Sequence, residues 1–170
     1  AALPLLDVLN PPTGGEVDQQ LEAVKIQAAI GLGRINLLGP ANDMNFNIQN
    51  QTLRNTMAKT LIGQLDDPKA NDWYQKRLID SLATIDMVND TGTGKPIILE
   101  TLGNLLVDKN RSFIVRARAA RGLGRCVLPP GVNVEKLVFQ ILVLENEMAL
   151  AYQKNPNAYY WLDCFEDVYF

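Results

Sequence analysis

The chain of 170 residues contains no histidine, and this absence excludes more chemistry than any other feature of its composition. Without an imidazole, the Ser-His-Asp and Cys-His nucleophile systems, histidine-ligated metals and histidine acid–base catalysis are all excluded. The two cysteines, Cys126 and Cys164, are 38 positions apart and form neither a CxxC pair nor a four-thiolate zinc site. We therefore predict that the chain is not an enzyme and has no catalytic residue, no metal and no cofactor.

The sequence also lacks an excess of positive charge and a long apolar run. It has 16 basic and 19 acidic residues, a net charge of −3, which argues against a nucleic acid or a membrane surface as partner. The best candidate for a membrane span, residues 137–144, is interrupted by Gln140 and is much shorter than the roughly 20 residues required. We predict a soluble, cytoplasmic protein. An exported form stays open because the chain begins at Ala1 without Met.

Stretches of strong helix formers lie between breaks rich in Gly, Pro, Asn and Asp. None of them shows the strict alternation of a half-buried strand. The sequence therefore predicts an all-α fold, with helices over 2–9, 18–37, 48–65, 70–88, 95–107, 112–127 and 134–154. The last of these helices is apolar around much of its circumference, so we expect it to be sandwiched between neighbours.

One helix sequence occurs twice. Residues 24–35 align without gaps on residues 115–126, with seven of twelve positions identical, and residues 74–85 fill the same position in a looser copy. The copies begin 50 and then 41 residues apart, in the range of two-helix repeats that stack into solenoids. Gly31 and Gly33 match Gly122 and Gly124. Since an isolated Gly in a helix costs about 1 kcal/mol relative to Ala, this recurrence indicates a packing reason.

The strongest copy resembles a HEAT repeat of the short, phycobilisome-lyase type. Residues 105–110 read Leu-Leu-Val-Asp-Lys-Asn, Val-Arg follows at 115–116, and an Ala-Ala-x-Gly-Leu-Gly strip follows at 119–124. The resemblance covers roughly residues 3–154 and implies that Asp108 and Arg116 are the Asp and Arg that commonly interact in such repeats. It implies a right-handed α-α superhelix, a short solenoid of about three to four helix pairs. The approximate repeats are 3–37, 48–88 and 95–127, with a further helix over 134–154 and a tail over 155–170.

A basic segment lies between Asp108 and Glu135, where six positive charges occur without one acid. On a helical wheel four of its arginines share an arc of about 80° beside the apolar face. We call them the arginine stripe: Arg111, Arg118, Arg121 and Arg125. The resemblance places this helix on the concave surface, where guanidinium groups would bind carboxylates. The alternative is internal pairing with the six acids of residues 135–170.

The tail is rich in aromatic residues, since half of the chain's twelve lie between Tyr159 and Phe170. Aromatic side chains are enriched at interface hot spots. Tyr159, Tyr160, Trp161 and Phe165 are therefore candidate contacts for a partner or a second subunit. The alternative is that the tail caps the open end of the solenoid or begins another helix pair, because an exposed aromatic strip promotes aggregation.

These features predict a non-enzymatic protein–protein interaction or scaffold module that binds an acidic or extended protein segment on its concave face. Self-association through the solenoid ends or the tail stays open. A second function is implied by the resemblance alone, namely an accessory domain of a phycobilisome-lyase-like protein that handles a tetrapyrrole. Absorbance after incubation with bilins would distinguish the two.

Overall fold

A computed structural model describes residues 2–10, 19–34, 44–67, 70–85, 89–90 and 92–169. This part of the chain forms eight helices and no strand, which confirms the all-α prediction for it. The helices are α1 (Ala2–Leu9), α2 (Gln19–Gly33), α3 (Met44–Leu65), α4 (Asp72–Ile85), α5 (Ile97–Val107), α6 (Phe113–Arg125), α7 (Val134–Lys154) and α8 (Trp161–Tyr169).

Seven of these helices coincide with the seven predicted from sequence; α1 and α7 have the predicted ends, and the ends of the other five are shifted. Helix α3 begins at Met44, four residues before the predicted start. Helix α8 lies in the tail, where the sequence analysis above allows a cap, a further helix pair or a partner contact. The predicted extensions over 35–37 and 86–88 lie outside the described residues.

Short polar side chains start three of the helices that carry the candidate site. The Val115 N–H donates to Ser112 Oγ (3.4 Å) at the start of α6. The Lys136 N–H donates to Asn133 Oδ1 (2.8 Å) at the start of α7. The Trp73 N–H donates to Asn71 Oδ1 (2.8 Å) before α4. These bonds satisfy backbone donors that the helices leave unpaired, and they fix where each helix begins.

The helices pack in two rows. The even-numbered helices contact one another in chain order, α2 with α4, α4 with α6 and α6 with α8. The odd-numbered helices do the same from α1 to α7, and each also packs on the helix that follows it. Between the rows lies one continuous apolar core, which includes the fully buried Leu9, Leu32, Leu61, Leu106 and Leu144.

The matched glycines explain how two of these helix pairs approach. A Cβ on Gly31 would lie 3.0 Å from Cδ1 of Leu5 in α1, and one on Gly122 would lie 3.2 Å from Cδ1 of Leu102 in α5. In both pairs, therefore, a leucine of the first helix packs on a glycine of the second. A Cβ on Gly124 would meet nothing within 4 Å. Close packing therefore explains Gly122 but not Gly124 in α6.

Candidate functional site: the arginine face of α6

Two members of the arginine stripe, Arg118 and Arg121, bind a carboxylate of α8. Arg121 Nη1 lies 3.1 Å from Asp167 Oδ1. Arg118 Nε lies 3.0 Å from Asp167 Oδ2, as a charge pair rather than an aligned hydrogen bond. Arg118 also reaches Asp80 of α4 through Nη1, at 3.3 Å from Oδ1. The side chain of Asp167 is only 3% exposed, so this carboxylate depends on the guanidinium groups around it for the charge stabilisation that water would provide.

Lys76 of α4 completes this cluster. Its Nζ lies 3.2 Å from Asp163 Oδ2 and 3.9 Å from Asp167 Oδ2, and its side chain is 3% exposed. The ammonium also lies 4.9 Å from the centroid of the Trp73 ring, a cation–π distance. Three cations from α4 and α6 thus face three carboxylates from α4 and α8. We call this group the α4–α6–α8 charge cluster: Lys76, Arg118, Arg121, Asp80, Asp163 and Asp167.

Arg116 lies on the other flank of α6 and pairs with α7. Its Nη2 donates to Glu147 Oε2 (2.8 Å), and its Nε donates to the Leu106 carbonyl (3.1 Å). Lys109 contacts the other carboxylate oxygen of Glu147 at 2.9 Å. The hydrogen bonds from Lys109 and Arg116 hold the pKa of Glu147 below its ordinary value.

Asp108 and Arg116, the pair implied by the HEAT-like resemblance, have different partners in the structure. The Asp108 carboxylate accepts the Asn110 N–H at 2.9 Å and lies 3.5 Å from Arg111 Nε. Asp108 therefore orders the turn between α5 and α6, whereas Arg116 links α6 to α5 and α7.

Arg111 lies before α6 and closes the end of α3. Its guanidinium donates to the Leu65 carbonyl (2.7 Å), the Asp67 carbonyl (3.2 Å) and Gln75 Oε1 (2.7 Å). A cation suits this position because the last carbonyls of a helix have no partner within the helix and carry partial negative charge. Arg125, by contrast, is exposed at the last turn of α6. Among the described residues, the Arg125 side chain makes no hydrogen bond and no ion pair.

The structure thus brings Arg118 and Arg121 together, places Arg111 at a helix end and leaves Arg125 exposed. Arg116, Arg118 and Arg121 each contact an acid of residues 135–170, as the internal-pairing alternative describes, and Arg118 also contacts Asp80, which that alternative did not include. A binding role for the stripe stays a prediction.

Sequence reasoning did not single out Lys76 or Asp80. A signal was present in their i,i+4 spacing, which Asp163 and Asp167 share and which places two charges on one side of a helix.

The aromatic residues of the tail pack around Trp161. Its ring centroid lies 4.7 Å from that of Tyr160, 5.6 Å from that of Phe113 and 6.0 Å from that of Phe165. The indole N–H donates to the Asn155 carbonyl at 2.7 Å. Trp161 is 4% exposed, whereas Tyr159 is 80% exposed. Of the four candidate contacts, Trp161 belongs to the core and Tyr159 is the most available to a partner.

Cys164 lies on the buried side of α8. Burial, reinforced by the neighbouring Asp167 carboxylate, raises the pKa of the Cys164 thiol to about 12. A thiol in such a place is a poor nucleophile at neutral pH. Its contribution is to packing α8 on the core.

Comparison of the chain with protein-family models, with curated proteins and with solved structures found no match in any of the three. The HEAT-like resemblance therefore depends only on the residues quoted for it. In the described part of the chain, no three Cys, Asp or Glu side chains are grouped so that they could hold a metal ion. No helix there has the length and apolar character needed to cross a membrane.

Proposed function

We propose that the chain is a non-enzymatic helical-repeat module, of the HEAT-like kind, that binds an acidic protein segment on the surface of α4 and α6. Two rows of helices, each row contacting its own members in order, is the arrangement expected of stacked helix pairs. The leucine-on-glycine contact that recurs in α1–α2 and α5–α6 supports a common repeat unit. Neither feature depends on a ligand, and the stacking of neighbouring helix pairs is what a short solenoid requires.

The contact of α8 with α4 and α6 is the observation that carries the choice of partner. An acidic, aromatic helix lies there, with Asp163 and Asp167 against Lys76, Arg118 and Arg121. This internal contact supports a carboxylate-bearing segment as the partner of this surface. Carboxylates suit it because guanidinium groups bind them with directional, charge-assisted hydrogen bonds.

Cationic and aromatic groups remain exposed beside the position of α8. Trp73 is 46% exposed, and the Arg77 side chain is 42% exposed and pairs with Asp80 on its own helix. Arg121 is 34% exposed at its side chain, and Arg125 lies one turn further along α6. An acidic segment lying across α4 and α6 would contact these four side chains without displacing α8.

Fluorescence anisotropy with a defined probe tests this function. The probe is a labelled twelve-residue peptide composed of Glu and Trp, and its control is the same peptide with Lys in place of Glu. We expect the Glu peptide to bind and the Lys peptide not to bind. Arg125→Glu should weaken binding about fivefold or more, because it replaces an attraction by a repulsion at the surface.

Lys95→Glu is the matched control, since Lys95 is also exposed but lies in the loop before α5. It makes the same change in net charge and should leave the affinity unchanged. Equal weakening by both variants would show that net charge alone decides the binding. Absence of binding by the wild-type chain would refute the acidic-segment proposal.

A further inference from the structure

Arg77 of α4 and Arg121 of α6 are held at the surface by one continuous chain of ion pairs. Arg77 Nη1 donates to Asp80 Oδ2 (3.4 Å), and Arg118 Nη1 donates to the other oxygen of that carboxylate (3.3 Å). Arg118 Nε lies 3.0 Å from Asp167 Oδ2, and Asp167 Oδ1 accepts a hydrogen bond from Arg121 Nη1 (3.1 Å). Each of the two outer guanidinium groups is therefore tied through its Nη1 to a carboxylate that is less exposed than itself.

The other edge of each outer guanidinium group is free. In the part of the chain that the structure describes, Nε and Nη2 of Arg77 and Arg121 make no hydrogen bond. The buried donors without a hydrogen bond in this part are Nε of Arg111 and Nε of Arg118, so the free atoms of Arg77 and Arg121 reach solvent. Nε and Nη2 form the edge with which an arginine binds two oxygens side by side. Two adjacent helices thus each present an open edge with two donors.

This surface also has more positive than negative charge. The α4–α6–α8 charge cluster contains three cations and three carboxylates, so it is neutral by itself. Arg77 joins the cluster through Asp80, and the exposed Arg125 lies one turn beyond Arg121. These two arginines give a surplus of two positive charges. The side chains of Arg77 and Arg121 are 42% and 34% exposed, whereas that of Asp167 is 3% exposed, so the surplus faces solvent.

We propose that Arg77 and Arg121 bind the phosphate group of a phosphorylated serine or threonine in the acidic segment. This inference rests on the proposed function and names the group that the surface recognises. A carboxylate has one charge and two oxygens, which a single guanidinium edge satisfies. A phosphoserine has a charge of about −1.5 to −2 at pH 7 and three acceptor oxygens, which match two edges and a surplus of two charges. Because carboxylates already hold both arginines, less side-chain freedom is lost when the phosphate binds.

Fluorescence anisotropy with three labelled peptides tests the proposal on the full chain. The peptides are twelve residues of Glu and Trp that carry phosphoserine, Glu or Ser at one central position. We expect the wild type to bind the phosphoserine peptide about tenfold or more tighter than the Glu peptide, because charge-assisted hydrogen bonds to a second guanidinium group are gained. The Ser peptide should bind more weakly than either.

Arg77→Lys/Arg121→Lys keeps the net charge but replaces each two-donor edge by a point charge, so it should reduce the preference for phosphoserine over Glu to about threefold or less. Lys95→Arg is the control, a charge-preserving exchange at an exposed position before α5, and it should keep the preference of the wild type. The measured quantity is a ratio of two affinities for the same variant. Loss of folding cannot imitate its change, because an unfolded fraction weakens both apparent affinities by the same factor.

The outcomes separate this inference from the proposed function. Equal affinity of the wild type for the phosphoserine and Glu peptides would overturn the inference and leave acidic-segment binding in place. Absence of binding by all three peptides would overturn both. A double variant that keeps the full preference would overturn the assignment to Arg77 and Arg121. Displacement of the phosphoserine peptide by an equal concentration of inorganic phosphate would overturn the assignment to a protein segment.

Discussion

Replacement of Asp167 by Asn is the most informative single change in the α4–α6–α8 charge cluster. The side chain keeps its size and its ability to accept hydrogen bonds, but loses the charge that faces Lys76, Arg118 and Arg121. Lys76 is itself 3% exposed, so it cannot recover this charge stabilisation from water. The substitution therefore leaves buried positive charge that is only partly compensated.

The partners that remain set the magnitude. Removing one partner of a buried ion pair typically costs about 3–5 kcal/mol. Lys76 retains Asp163 at 3.2 Å and Arg118 retains Asp80 at 3.3 Å. We therefore expect Asp167→Asn to lower the free energy of unfolding by about 2–3 kcal/mol. In a chain of this length that corresponds to a fall in Tm of about 5–10 °C.

Urea unfolding followed by circular dichroism at 222 nm measures this loss. Asp163→Asn is the control on the same helix, because its carboxylate also binds Lys76 but is 48% exposed. An exposed pair contributes at most about 1 kcal/mol. If the two substitutions cost the same free energy, burial does not govern the strength of the cluster, and the reasoning is wrong.

Two further predictions concern single residues. At pH 8 we expect Ellman's reagent to label Cys126 and to leave Cys164 unreacted until urea unfolds α8. The reason is that the raised pKa of the Cys164 thiol, about 12, suppresses the thiolate with which the reagent reacts. Equal labelling rates for the two cysteines would contradict this. Gly124→Ala should raise the free energy of unfolding by about 0.5–1 kcal/mol. Gly122→Ala should give a free energy of unfolding about 1–2 kcal/mol lower than Gly124→Ala does, because the added Cβ would crowd Leu102. Urea midpoints measure both, and equal stabilisation would refute the packing explanation.

The helices were predictable because they are encoded locally. Apolar periodicity and helix formers between Gly- and Pro-rich breaks marked seven of the eight. The early start of α3 was missed because the segment after Met44 is rich in Asn, which has a weak helix propensity. Helix α8 is only nine residues long, and a helix of that length depends on tertiary packing, here through Trp161, rather than on its own propensity.

The partners of the arginines were less predictable because they depend on which helices become neighbours. The sequence does predict the acids of residues 135–170 as candidate partners. It does not predict Lys76 and Asp80, because they lie about 40 residues or more before the charges that they contact on α6 and α8. The burial of α7 on one side only was missed for a related reason. An apolar circumference shows that a helix can pack against neighbours on both sides, but it does not show that this chain supplies both neighbours.

Ionic strength separates the proposed acidic-segment surface from the charge cluster beneath α8. Binding of an acidic segment at Arg77, Arg121 and Arg125 would rely on exposed charges, whose attraction is largely screened beyond about 8 Å at physiological salt. The pairs of the charge cluster are buried against Asp167 and Lys76, and buried pairs are screened far less than surface ones. Raising the salt concentration should therefore release the acidic peptide while α8 remains docked.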